Sequence, residues 1–188
     1  MSNLLNIINE IQYGYLDKDN IIHKGNDNGW FSKYKLQSKE EILTNMVGNC
    51  YYVTELLRNC LENTYKVETF FMMIAIPYKN NYPTHSYLVY IDNNGYNLIE
   101  NKFGLNEGIH VFKTRKEVIK YQASSYLKLL RNIYNLKEDD EKHFVITSFD
   151  KPKSVISASS YIDNALSSHS VLTLIDGKLN FESYEEKN

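Results

Sequence analysis

The chain has 188 residues, 43% hydrophobic and 23% charged, with a formal net charge of −2. That is enough for one domain with a real core, and the near-neutral balance argues against nucleic acid or an anionic membrane as the main partner. The opening MSNLLNIINEIQYGYL lacks the basic and continuously apolar regions of a signal peptide, and the longest apolar run, FFMMIAIPY, has the length of a strand.

In chain order, Leu4, Leu5, Ile7, Ile8 and Ile11 predict an amphipathic helix over 3–13. HKGNDNGWFSKY reads as loop. Ser38 and Glu41 have capping-box spacing and open a short helix over KEEILTNM. Beyond Gly48, Val53, Leu56, Leu57, Cys60 and Leu61 form one buried helical stripe, so a helix runs from Cys50 to about Glu62. KVETFFMMIAIPY is apolar on both sides, the pattern of a central strand covered on both faces. After the loop YKNNYP, HSYLVYI and YNLIEN flank DNNG, a hairpin signal in which Asn-Gly favours a primed turn.

Further on, IHVF is a short strand, and Thr114 with Glu117 caps a helix over about 115–135. LKEDDEK reads as a solvated loop, HFVITSF as a strand and SASSYIDNALSS as a helix. SVLTLIDGKLNFESY closes the chain as a hairpin around Asp176-Gly177. The expected class is α+β, with helices packed on a mostly antiparallel sheet.

The two cysteines need separate explanations. On one helix Cys50 and Cys60 are about 15 Å apart along the axis, too far for a disulfide. Unpaired thiols fit a reducing, cytoplasmic setting, and the wealth of Asn, Lys, Ile and Tyr fits an AT-rich, bacterial or phage genome. Cys60 lies within the buried stripe and reads as a small hydrophobe. Cys50 opens the helix, where unpaired N–H groups and the macrodipole favour thiolate and can bind an oxyanion. Gly48, just ahead of it, lets backbone and substrate approach closely. A buried cysteine acting as a hydrophobe is the competing reading of Cys50.

A nucleophilic thiol needs a base. His85 opens the first hairpin strand, and alternation puts it on one face with Tyr87, Val89 and Ile91. A two- or four-residue turn at DNNG adds Tyr96, Leu98 and Glu100 to that face; a three-residue turn or a bulge would substitute Asn101 for Glu100. The carboxylate would orient the imidazole and stabilise its charged form.

GNCYYVTELLRNCLENTYKVETFFMMI, THSYLVYI and GYNLIEN together resemble the transglutaminase-like core, a relative of the papain-like cysteine enzymes, in its small bacterial form. In that family a Gly-x-Cys opens a helix, a His begins a following strand, and an acid ends the strand after it. The resemblance implies a catalytic triad of Cys50, His85 and Glu100, although the family usually carries Asp at the third position. Asn101 is the alternative third member, by analogy with papain-type enzymes. For the second oxyanion donor or a substrate contact, the candidates are Trp30, Gln37 and Asn49. The resemblance covers 38–103, with 104–188 an extension of the same single domain, 1–188.

The implied function is cysteine-dependent acyl transfer on amide or peptide bonds through a thioester. It would be hydrolytic, as in a protease, amidase or deamidase, more than cross-linking, and a peptide or protein would be the substrate. The alternative is a non-catalytic peptide-binding module with the same fold. No cofactor or metal site is implied: metal-ligand spacings, phosphate-binding glycine loops and the serine nucleophile motif G-x-S-x-G do not occur.

Overall fold

A computed structural model describes residues 2–25, 30–76, 82–100, 106–136, 141, 143–153, 157–167, 169–175 and 178–180. The fold is α+β. Its main sheet is antiparallel throughout, in the order β11-β10-β9-β5-β6-β7-β8. The strands are β5 (Lys66–Ile74), β6 (Thr84–Asp92), β7 (Gly95–Glu100), β8 (Gly108–Phe112), β9 (Phe144–Phe149), β10 (His169–Ile175) and β11 (Lys178–Asn180). A smaller sheet near the N-terminus has the order β2-β1-β3, from β1 (Gln12–Asp17), β2 (Ile22–Lys24) and β3 (Tyr34–Lys35). A two-residue strand β4 (Val47–Gly48) runs parallel to β1.

The main sheet has a core on each face, as the apolar runs of its central strands require. On one face α1 (Ser2–Glu10), α4 (Cys50–Leu61) and α6 (Ala158–Leu166) pack on Phe71, Leu88, Tyr90 and Ile99. On the other α5 (Arg115–Tyr134) packs on Phe70, Met72, Tyr87, Val89 and Leu98. Alternation along β5 divides Phe70 and Met72 from Phe71. The residues after 104 are integral to this sheet, because β9 lies directly beside β5, pairing Phe71 with Thr147.

Both expected capping boxes form. Ser38 caps α3 (Lys39–Asn45) with Glu41, and Thr114 caps α5 with Glu117. The central α4 is buried almost all round, including Glu55 and Arg58. Arg58 donates to Thr69 Oγ1 at 2.5 Å and lies 3.3 Å from Glu55, so the pair is compensated where it is buried.

Several local expectations are corrected. The first helix ends at Glu10, because Gln12 onwards pairs with three short strands; the Gln12 N–H bonds Met46 O at 2.8 Å. The stretch read as loop from His23 contains the end of β2, a single helical turn α2 (Trp30–Lys33) and the start of β3. The DNNG turn is two residues long, Asp92 pairing with Gly95, but it is not primed: positive φ falls on Gly95 (125°) and on neither asparagine before it. Within LKEDDEK, residues 137–140 and 142 lie outside the described residues. Glu141 is not solvated: Arg131 donates to it twice, at 2.5 and 2.7 Å. Asp176 and Gly177, the expected closing turn, also lie outside the described residues, between the antiparallel β10 and β11.

Candidate active site

The local sequence sets where α4 begins. Asn49 is the N-cap; its side-chain oxygen accepts from Tyr51 N at 3.0 Å and Tyr52 N at 3.4 Å, and its carbonyl accepts from Val53 N. The cap therefore serves the N–H groups that follow Cys50. Gly48 fits because a Cβ there would meet Tyr52 Cβ at 3.0 Å. Its small size admits the first turn of the helix.

Two contacts fix this end of α4 on the start of β6. The Tyr51 hydroxyl hydrogen-bonds Thr84 Oγ1, and Thr54 Oγ1 meets Ser86 Oγ at 3.0 Å. Thr84 and Ser86 thus face α4. His85, between them, points to the other face, where Tyr87 and Tyr126 flank its ring at centroid distances of 6.4 and 6.0 Å. The Cys50 side chain hydrogen-bonds the imidazole of His85.

The even-odd register follows from the two-residue turn. Val89 pairs with Leu98 and Ile91 with Tyr96, so Glu100 shares the His85 face. Glu100 Oε1 and Oε2 lie 2.9 and 3.1 Å from His85 Nε2. With Nε2 committed to the carboxylate, Nδ1 is the ring nitrogen that remains for the thiol. The side chains of His85 and Glu100 are 7% and 2% exposed.

Burial by itself would lower the pKa of His85. The charge of Glu100, the hydrogen bonds to Cys50 and Glu100 and the charge of Cys50 act the other way and push it up to about 10. The net direction favours the protonated form of the ring. The ring donates to the carboxylate and also hydrogen-bonds the Cys50 side chain.

The structure brings together Cys50, His85 and Glu100. Asn101 lies outside the described residues. Of the oxyanion candidates, Gln37 is buried with its amide N–H donated to Val47 O at 2.9 Å and its carbonyl accepting from Asn45, which ties β4 to α3. Asn49 is the helix cap. Trp30 packs among Tyr15, Tyr34 and Tyr51 at 6.3, 6.0 and 6.4 Å. Cys60 is half-buried against the α4-side core.

Tyr126 is a neighbour of His85 that sequence reasoning did not single out. Its place on the buried face of α5 is readable from helical period, but nothing local distinguishes it among 16 tyrosines. Among the described residues, no group of three or more His, Cys, Asp or Glu could hold a metal ion, and no helix is long and apolar enough to cross a membrane. Neither a family model, a curated protein nor a solved structure matches this chain.

Proposed function

We propose that this protein is a cysteine-dependent acyl-transfer enzyme with a transglutaminase-like core, acting on amide or peptide bonds and releasing its thioester to water. The observation that carries the reading is the buried His85–Glu100 pair, 2.9 Å apart, with the Cys50 side chain, at a helix N-terminus, hydrogen-bonded to the same ring. Any one of these groups has an ordinary structural explanation. Their convergence supplies nucleophile, acid and orienting carboxylate in one place.

A ring that keeps its proton at neutral pH does not need to remove one from the thiol during attack. In the form that attacks, a Cys50 thiolate would face the protonated His85 ring, so His85 acts first as an acid. The Cys50 sulfur adds to the carbonyl carbon, and the carbonyl π electrons move to the oxygen, which would accept a hydrogen bond from the Cys50 N–H. As that pair returns, the C–N bond breaks and His85 gives its proton to the departing amine. Water then attacks the thioester while His85 takes up a proton, and loss of the acid restores the ion pair. Glu100 fixes the tautomer and keeps the ring charged. Hydrolysis is favoured over cross-linking because water needs no second binding site.

The test is reactivity. Iodoacetamide near neutral pH should alkylate Cys50 far faster than Cys60, and an activated ester should form a thioester with the wild type and not with Cys50→Ala. Equal, slow labelling of both thiols would instead favour a peptide-binding module without turnover.

A further inference from the structure

On the His85 side of the sheet, α5 buries two polar side chains without a hydrogen-bond partner among the described residues. Gln122 is fully buried with neither amide atom partnered. The Tyr126 hydroxyl, one helical turn later on the same face, is buried and also without a hydrogen bond. Buried polar groups are nearly always satisfied, so an orphan beside a reactive centre calls for a partner that arrives later. The Tyr126 ring lies against the imidazole of His85, centroids 6.0 Å apart and planes 30° from parallel.

Among the described buried hydroxyls without a hydrogen bond, Tyr126 is the one on which Cys50 bears ahead of any other charged neighbour; Cys50 acts on Tyr34 too, after three tyrosines, and Tyr87 feels Glu100. Burial and the neighbours of Tyr126 raise its pKa well above the usual tyrosine value, which keeps the hydroxyl a donor. Gln37, Asn49 and Trp30 are engaged in cap, loop or aromatic packing contacts, leaving the second oxyanion position to be filled by another group.

Resting on the acyl-transfer reading, we infer that the Tyr126 hydroxyl is the second oxyanion donor, binding the substrate carbonyl oxygen together with the Cys50 N–H. When the sulfur adds to the carbonyl carbon, the hydroxyl donates a hydrogen bond to the oxygen that gains the electron pair and keeps its own proton. The bond weakens when the pair returns and the leaving group departs with the His85 proton. Tyr126 is then a catalytic residue contributed by the chain beyond 104, which makes that segment part of the chemistry.

Tyr126→Phe tests this, since it keeps the ring against His85 and removes only an unbonded hydroxyl. Two reactions of Cys50 should be timed: the burst of nitrophenolate from p-nitrophenyl acetate, which passes through an oxyanion, and alkylation by iodoacetamide, which does not. The expected result is acylation slowed about 100-fold with alkylation unchanged. Unchanged acylation would overturn the assignment. A parallel loss in both reactions would also overturn it, and would make Tyr126 a positioning residue for His85. A wild type that alkylates at Cys50 but shows no Cys50-dependent burst would remove the acyl-transfer reading itself, and this assignment with it.

Discussion

Glu100 holds both carboxylate oxygens within 3.1 Å of a single nitrogen of His85, and the two side chains are almost wholly withdrawn from water. A buried charged pair of this kind costs desolvation on both partners, so it persists only where the geometry is good and the remaining valences are filled. Here the third neighbour is the Cys50 thiol, and each member of the trio accounts for the others.

Replacing Glu100 by Gln removes the negative charge and keeps the shape. The His85 pKa should fall from about 10, and Cys50 acylation should slow by about 100-fold with near-native circular dichroism. An NMR titration of the His85 ring reads the first effect and a burst assay the second. A His85 pKa that stays near 10 in this variant would show that Glu100 does not hold the proton there.

The two cysteines should separate cleanly. Cys50→Ala should abolish labelling by an acyl probe. Cys60→Ala should keep labelling and lose on the order of 1 kcal/mol of stability through the small cavity left in a half-buried site. Loss of labelling in a folded Cys60→Ala protein would mean that the wrong sulfur has been assigned.

The pH dependence of stability has a definite sign. The folded-state pKa of His85 is raised, so its contribution is fully present below the unfolded value of about 6.5 and is lost as pH rises to about 10. The difference in unfolding free energy between wild type and His85→Gln should therefore shrink between those limits. Denaturant melts at half-unit pH steps measure it. A difference that is flat, or grows, across that window contradicts a protonated His85.

Gln122 is fully buried with neither amide atom partnered. Gln122→Met keeps the shape and removes the unsatisfied polar atoms, and should raise stability by about 1–3 kcal/mol. Thermal unfolding of the two proteins decides it; a variant less stable than wild type would show that the amide has an internal partner.

Arg58 and Glu55 lie together within the buried turns of α4. Arg58→Met leaves Glu55 without its cation, and the cost should be about 3–5 kcal/mol by chemical denaturation. The double variant Glu55→Gln/Arg58→Met should recover part of that loss, because no uncompensated charge remains. A double variant no more stable than the single one would place the stabilisation in the Arg58–Thr69 and Arg58–Phe149 contacts.

Local chemistry was enough to locate the N-terminal end of α4 and the His85–Glu100 pair. Capping boxes at Ser38 and Thr114, the helical stripe after Cys50, and strict alternation through His85 and Glu100 all act over a few residues, so they survive whatever the rest of the chain does. The length of the DNNG turn then selected Glu100, because a register is a parity and a two-residue loop gives only one answer. Tertiary structure alone decided what depends on distant segments. The small sheet drew Gln12 out of a helical pattern by hydrogen bonds to strands whose own sequences are two or three residues long. β9 entered beside β5 from the far end of the chain, and α5 brought Tyr126 against His85 across a loop. Such contacts leave no period or spacing in the sequence, since they are chosen by which buried faces fit together once the local elements exist.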